Sequence, residues 1–533
     1  MNTLRLFLAL VVAACAVAVH SQSSDPILRD KVTNAVMKVY DDHLAQNPKD
    51  YNTLFARAHQ NYYNGDYIAA LADVNQAMLL TPKSDKDLRF DEHILRARIS
   101  EARMDYSSEL ADLRLAQEIK PKSLACTDMI AKANLRVGNL EAAEKAFKTI
   151  LQAESMNYDA MYGMAQVELA RKNDQEAIKY VDKAVSLFRT EPQVYVNRSD
   201  IYARQGNMYD AVSDLLQGMS VGDGGIAVQR LFELSDADYN GVMRSLTELT
   251  DKMNDSGVFR YLRANIAMDH NRYGQALKEL NYIKRNNLYI SDMLYYNMAK
   301  CCLELTRYED ALNYAYQALS MNPSHPDSYV VRALAEYNLD PDGDILTAMQ
   351  TLELCSERFP QHVPMLLTKA ELLMSKGFDK KALGYLNAAV ANEPGNAEAL
   401  LTRAMLLQKL GNAEVAAKDY NTLTYLTDEP QDLKGVAYSV MERDNDAFKW
   451  LQNVTSNVLP GGENCYYAAV FMALRGDNYN ALKYLQKALD NGYGSLYKLQ
   501  GDVLSTIGLK SLRSEKDFKS MIDRAQLNFV EMD

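Results

Sequence analysis

The sequence predicts an all-α fold, an α-solenoid in which helical hairpins stack one on the next. Two observations predict it: a unit of similar length recurs along the chain, and apolar residues within each unit follow helical spacing. One position of the second helix, small in most units, marks the recurrence at Ala70, Glu109, Ala143, Ala177, Ala211, Ser245, Ala276, Ala311, Ala348, Ala382, Ala416, Ala447 and Ala481. From Glu109 to Ser245 every interval is 34 residues, and the later intervals run from 31 to 37. This register predicts about 12 to 13 hairpins.

The stretch "NYYNGDYIAALADVNQAML", residues 61 to 79, shows how one unit is built. Gly65 ends the first helix at low steric cost, and Pro82 keeps the second helix from continuing. Two antiparallel helices approach closely only where side chains are small, so we expect Ala58 and Ala70 to form the near contact. Each hairpin leaves apolar surface that the next one covers, which predicts a continuous, elongated core.

These units resemble the tetratricopeptide repeat family over roughly residues 36 to 496. The unit that begins near residue 292 fills the places of the family motif with Ala299, Tyr308, Ala311, Ala318 and Pro323. The family's aromatic residue near the start of the first helix is often replaced by another apolar residue, as by Leu54 or Met161. The resemblance implies a right-handed superhelix in which the first helices line a concave surface that holds extended peptides or helices.

The recurrence and its interruptions divide the chain into segments. We expect a signal peptide at 1–21, an N-terminal capping helix at 22–50, an N-terminal arm at 51–225, a degenerate repeat at 226–256, a C-terminal arm at 257–496 and a C-terminal cap at 497–533. Gly222, Gly224 and Gly225 precede the degenerate repeat, which we expect to change the pitch of the array or to divide it into two arms. Caps are expected because an uncovered end of the stack would expose core.

The first residues, "MNTLRLFLALVVAACAVAVHSQSSDP", have the order of a secretory signal: one Arg, an apolar stretch, then small and polar residues. We therefore expect an exported protein, periplasmic or secreted, with cleavage ahead of Gln22. The alternative is a lipoprotein at an outer membrane, because "VAAC" resembles a lipoprotein box that would place a lipid anchor on Cys15. No later stretch of about 20 apolar residues exists, so the mature chain is expected to lack a transmembrane segment.

Composition argues against several classes of function. The formal net charge is −12, with 58 Lys and Arg against 70 Asp and Glu, so the chain shows no basic footprint for nucleic acid. The cysteines beyond the leader are odd in number and the histidines are scattered, so neither predicts a disulfide framework or a metal site. Repeats and caps occupy nearly the whole mature chain, and no catalytic motif is present. We therefore expect no enzymatic activity, no metal and no cofactor.

The resemblance places candidate ligand-facing residues on first helices of the C-terminal arm: Tyr261, Asn265, Tyr296, Asn297, Lys300, Leu367, Leu401 and Met405. Asn265 and Asn297 match places where chaperone-binding members of the family hold a peptide backbone. The basic groups of a carboxylate clamp are missing, which disfavours an acidic C-terminal tail as the ligand. The three apolar residues predict an apolar groove in the later repeats. The alternative for each residue is solvated surface or packing between repeats.

The expected function is therefore a non-enzymatic scaffold or adaptor that binds a peptide or helix of partner proteins on its concave surface. The alternative is a lipid-anchored assembly factor of an outer-membrane or secretion complex.

Overall fold

The computed structural model describes residues 37–252, 257–426, 431–456, 461–500, 509 and 511–530. Within these residues the chain folds into α-helices joined by short turns and contains no β-strand, which confirms the all-α class. The expected signal peptide at 1–21, with Cys15, lies outside the described residues, as do residues 22–36 of the expected N-terminal cap.

The chain divides into two compact units, residues 1–233 and 234–533. The helices of the first unit are α1 (37–46), α2 (Tyr51–Tyr63), α3 (Tyr67–Leu80), α4 (Lys86–Ala102), α5 (Tyr106–Ile119), α6 (Leu124–Arg136), α7 (Leu140–Ala153), α8 (Tyr158–Ala170), α9 (Asp174–Leu187), α10 (Pro192–Arg204) and α11 (Met208–Met219). From α2 onwards, consecutive helices pair as hairpins, and each hairpin packs on the next. The following helix, α12 (Gly225–Ala237), spans the division between the units.

The second unit continues with α13 (Tyr239–Lys252), α14 (Gly257–Asp269), α15 (Tyr273–Arg285), α16 (Asp292–Glu304), α17 (Tyr308–Met321), α18 (Pro326–Leu339), α19 (Leu346–Arg358), α20 (Val363–Ser375), α21 (Asp379–Asn392), α22 (Ala397–Lys409), α23 (Ala413–Tyr425), α24 (Gln431–Val440), α25 (Asp444–Ser456), α26 (Glu463–Leu474), α27 (Asn478–Asp490), α28 (Leu496–Gln500) and α29 (Lys516–Val530). The hairpins run from α14/α15 to α26/α27, and α29 packs on α27. The predicted stack of helical hairpins is confirmed.

The turn inside each hairpin follows from local sequence. In the first hairpin Gly65 has a φ of +79°, a conformation that glycine adopts without strain and that turns the chain out of α2. Asp66 then caps α3 by accepting a hydrogen bond from the amide of Ala69 at 2.9 Å. Ala58 and Ala70 are fully buried in one apolar cluster, as their small size predicts.

An ion pair that the sequence analysis did not identify fastens several hairpins. An Arg of the first helix meets an Asp of the second helix 16 positions later, in the pairs Arg57–Asp73, Arg96–Asp112, Arg198–Asp214 and Arg403–Asp419. In each pair two guanidinium nitrogens donate to the two carboxylate oxygens, the bidentate geometry in which Arg binds a carboxylate most strongly. Since the carboxylates are buried, the pair fixes how the two helices of a hairpin meet.

Two further features concern the cysteines and the length of the helices. The cysteines Cys126, Cys301, Cys302, Cys355 and Cys465 are all buried, and none forms a disulfide. Among the described residues, no helix combines the length and the apolar character needed to cross a bilayer.

Candidate partner-binding surface

The first unit carries a cavity of about 580 Å³ on the first helices of three successive hairpins, α6, α8 and α10. The side chains in its wall that carry charge, polarity or apolar bulk are Lys132, Leu135, Arg136, Asp159, Tyr162, Gln166, Leu169 and Arg204. Apolar and charged groups therefore share one recess. A surface of this kind fits an amphipathic polypeptide segment better than a purely apolar ligand.

The basic groups of the cavity differ in how far they are neutralised. Lys132 Nζ lies 2.7 Å from a carboxylate oxygen of Asp128 on the same helix, and Arg136 pairs with Glu101 at 2.9 Å. Arg204, at the end of α10, is exposed and forms no ion pair with any residue that the structure describes. The cavity thus offers one cation that is free to meet an anionic group.

The polar wall of the cavity is held by a short hydrogen-bonded chain. Tyr162 Oη donates to Asp200 Oδ2 at 2.9 Å, and Arg230 Nε donates to Asp200 Oδ1 at 2.7 Å. Burial and the neighbouring Asp200 charge raise the pKa of Tyr162, so its hydroxyl stays protonated at neutral pH. Burial also raises the pKa of Asp159, although its side chain reaches solvent.

In the second unit the structure brings together three of the predicted site residues, from the neighbouring helices α14 and α16. Asn297 Nδ2 donates to Tyr261 Oη at 2.9 Å and lies 3.4 Å from Asn265 Oδ1. Asn265 Nδ2 donates to the carbonyl oxygen of Tyr261 at 2.8 Å. Tyr261 and Asn297 are buried, so their polar groups join two hairpins to each other. Their expected contact with a partner stays a prediction.

Tyr296 and Lys300 lie one turn apart on α16, beside this cluster. The ring of Tyr296 contacts the ring of His325 at a centroid distance of 4.5 Å, and burial raises the pKa of Tyr296. Lys300 is partly exposed and forms no ion pair with a described residue. Its charge acts on Asp269 and Asp327, which lie on the first helices to either side. Lys300 therefore faces the surface that successive first helices share.

The expected apolar groove is corrected by the structure. Leu401 is 1% exposed and Leu367 is 5% exposed, and each belongs to an apolar core cluster. Met405 is partly buried against the same cluster as Leu401. These side chains pack between neighbouring hairpins, which was the alternative interpretation, so they do not form an open apolar surface.

The cavity of the first unit was missed by the sequence analysis, although a signal for it exists. Lys132 and Gln166 each follow the small residue of their first helix, as Asn265 and Lys300 do in the second unit. Reading this place in every repeat would have pointed to Lys132 and Gln166 of the cavity wall.

Three potential ligands of a cation also meet in the second unit: Asp236, Asp269 and His270, whose ligand atoms lie within 4.8 Å of one another. His270 Nε2 lies 3.0 Å from Ser235 Oγ and 3.7 Å from Asp236 Oδ1. The imidazole nitrogen nearest to the carboxylate therefore already has a hydrogen-bond partner, and the cluster does not by itself define a metal site.

Comparison with known proteins supports the class of repeat. A family model described as tetratricopeptide repeat matches residues 129–193 and 261–329. The first match includes α8 of the cavity, and the second includes α16 with Tyr296 and Lys300. The comparisons thus support the tetratricopeptide repeat family, as the sequence resemblance predicts.

Two relatives carry the tetratricopeptide repeat in their names. Tetratricopeptide repeat protein 6 of Homo sapiens is 23% identical over 383 residues, which are 65% of this chain and 71% of that protein. The tetratricopeptide repeat and J domain-containing co-chaperone DNJ1 of Fusarium oxysporum f. sp. lycopersici is 34% identical over 95 residues, 17% of this chain and 18% of that protein. Among solved structures, yeast Tom70 is 13% identical and matches 88% of this chain and 99% of that chain, with a TM-score of 0.35.

Proposed function

We propose that this chain is a non-enzymatic scaffold or adaptor that binds a peptide or helical segment of partner proteins on the concave surface formed by its first helices. Tetratricopeptide repeat proteins act as protein-interaction scaffolds, and a stack of hairpins supplies a long surface for that purpose. The observation that carries the proposal is the cavity across α6, α8 and α10, where apolar Leu135 and Leu169 lie beside Arg204.

The chemistry of this cavity favours a segment that carries carboxylates and an apolar side chain. Arg204 offers an unpaired guanidinium, which can bind a carboxylate through two parallel hydrogen bonds. Leu135 and Leu169 offer apolar surface, and binding of an apolar side chain would remove that surface from contact with water. The chain as a whole carries a net charge of −12, so attraction to an acidic segment is confined to this local basic surface.

A pair of peptides and a pair of variants test the proposal. The probes are a fluorescent peptide of about 12 residues in which Glu and Leu alternate, and its counterpart with Lys in place of Glu. Fluorescence anisotropy with the full chain should show binding of the Glu peptide alone. Arg204→Glu should weaken that binding by about tenfold or more, since it places like charges together.

The matched control is Lys183→Glu, which makes the same charge change at an exposed residue of the second helix α9. We expect this control to bind the Glu peptide as the unaltered chain does. Equal losses in both variants would show that net charge alone drives binding, and equal binding of both peptides would remove the case for an acidic partner in this cavity.

We also propose that the chain is exported, and the support for this is the order of charged, apolar and polar residues over 1–21. The second candidate, a lipid-anchored assembly factor, is favoured by the "VAAC" sequence that ends at Cys15. The mass of the mature N-terminus distinguishes the two. A chain that begins near Gln22 supports the soluble adaptor, and a lipid on Cys15 supports the anchored factor.

A further inference from the structure

The hairpins of a solenoid normally contact only their neighbours in the stack. The second unit departs from this rule at the loop between α14 and α15, which contacts the segment between α27 and α28. The amide of Gly494 donates a hydrogen bond to the carbonyl oxygen of Asn271 at 2.9 Å. Arg272 Nη2 donates to the carbonyl oxygen of Asn491 at 3.0 Å, across 219 positions of sequence. The contact joins two hairpins that are distant in the stack.

A third hydrogen bond strengthens this contact. Ser495 Oγ donates to Glu304 Oε2, at the end of α16, at a distance of 2.5 Å and across 191 positions. Ser495 is fully buried and Glu304 is nearly so. A buried carboxylate without a hydrogen-bond donor is strongly unfavourable, so the hydroxyl of Ser495 stabilises Glu304 in its place.

Two glycines show that the chain is fitted to this approach. Gly461 has a φ of +89°, and a Cβ atom there would lie 2.0 Å from the carbonyl oxygen of His270. Gly492 has a φ of +94°, and its Cβ would lie 2.7 Å from Arg272 Cζ. Any side chain at either place would both strain the backbone and push the two hairpins apart.

Each side of the contact is held firmly to its own part of the stack. Tyr493 is fully buried and stacks on Tyr466 of α26, with ring centroids 4.8 Å apart and an interplanar angle of 11°. Arg272 Cζ lies 4.3 Å from the ring centroid of Tyr239 on α13. The contact is thus formed between two supported surfaces and not between two loose loops.

We propose that this contact is a latch that joins the hairpin α14/α15 to the hairpin α26/α27. While the latch is formed, these hairpins and those between them make a closed loop. The loop opens when the latch breaks and the two hairpins separate. With the latch closed, the first helix that carries Tyr296 and Lys300, α16, belongs to a closed loop of hairpins. An internal segment of a partner protein reaches the space inside that loop only when the latch opens. This last step rests on the proposed function, whereas the latch itself does not.

Hydrogen exchange measured by mass spectrometry on the full chain, without any partner, tests the latch. Ser495→Ala removes the hydrogen bond to Glu304 by a change in the segment between α27 and α28. The exchange rate is then measured on the opposite side of the contact, in residues 266–276 and 301–308. We expect exchange there to rise by about tenfold, because a hydrogen bond to a charged, buried group contributes at least that factor to closure. Glu304→Gln keeps an acceptor and should change exchange less. Ser186→Ala, an exposed serine in α9, should leave it unchanged.

A reversible covalent lock provides the opposite test. Asn271→Cys and Gly494→Cys place two cysteines at positions whose backbones are hydrogen-bonded to each other. A disulfide joins residues whose Cα atoms lie about 4.4 to 6.8 Å apart. The lock should form in the folded protein, slow exchange on both sides and be reversed by reductant. The latch would be overturned if the disulfide failed to form. It would also be overturned if hydrogen exchange in residues 266–276 were unchanged by Ser495→Ala. Neither result would affect the peptide binding proposed for the first unit.

Discussion

Arg198 and Asp214 join the two helices of one hairpin through two parallel hydrogen bonds, each 2.7 Å long. The remaining guanidinium nitrogen of Arg198 reaches back to Asp182, on the second helix of the preceding hairpin, at 2.7 Å. One side chain therefore fixes the geometry inside a hairpin and between two hairpins. Arg57 likewise joins its own hairpin through Asp73, and it reaches Asp41 on α1.

Removal of one partner of this ion pair should destabilise the fold, because the other charge stays buried. We expect Arg198→Met to lower the free energy of unfolding by about 3 kcal/mol, because it leaves Asp214 buried without its donor. The double variant Arg198→Met, Asp214→Leu should recover much of that loss, since it removes the buried charge as well. Urea unfolding followed by circular dichroism measures both. Arg189→Met, at an exposed residue of the loop before α10, is the control, and a loss of stability there of the same size would refute a specific role of the pair.

Gly163 sits where α8 meets α7, and a Cβ atom at this place would lie 2.2 Å from the ring of Phe147. Because Phe147 is fully buried, Gly163→Ala should lower the free energy of unfolding by about 1 to 3 kcal/mol. The measurement is the melting temperature, which should fall. Adding Phe147→Leu should restore part of the loss. Gly384→Ala in α21 is the matched control: no atom lies within 4 Å of its Cβ position, so we expect a gain of up to about 1 kcal/mol. Loss in both variants would argue against the proposed clash.

Glu109 is fully buried at a place where most repeats carry Ala or Ser. Burial raises its pKa, although Arg136 acts to lower it. The folded state therefore holds the proton at a pH where the unfolded chain releases it, and the free energy of unfolding falls as pH rises above about 4.3. Glu109→Gln cannot ionise, so its stability should fall less between pH 4 and pH 7. Thermal unfolding across this range checks the difference, and parallel pH curves for the two proteins would contradict it.

Leu401 should behave as a core residue and not as part of a binding surface. Leu401→Ala is expected to lower the free energy of unfolding by about 2 to 5 kcal/mol, because it leaves a cavity in the cluster that includes Tyr466. Leu79→Ala, at a leucine that is 87% exposed, should change it by less than about 0.5 kcal/mol. Similarly small changes in the free energy of unfolding for both variants would show that Leu401 is accessible and not a core residue.

The hairpins could be predicted from sequence because their causes are local. Gly65, Ala58 and Ala70 lie within a few turns of one another, and each acts through a steric rule that applies within a single hairpin. The same spacing repeated along the chain made the assignment secure. Short-range causes leave a periodic pattern, and a periodic pattern can be read from a single sequence.

The candidate site could be predicted only in part, because accessibility depends on the packing of neighbouring hairpins. Asn265 and Asn297 do meet, yet they bind each other and Tyr261. Leu367 lies on a first helix as predicted, but it is buried in an apolar core cluster. The contact between Ser495 and Glu304 spans 191 positions, and no periodic pattern records a distance of that kind.

The buried cysteines have a consequence for the thiol chemistry of the folded chain. Burial raises the pKa of Cys126 and of Cys355 to about 11, so at pH 7 only roughly one thiol in ten thousand is a thiolate. The thiolate is the form that attacks disulfides and alkylating reagents. In an oxidising environment, the buried thiols of such a folded chain would therefore be nearly unreactive. Their reactivity reports on the fold, because the thiols become reactive when a hairpin opens.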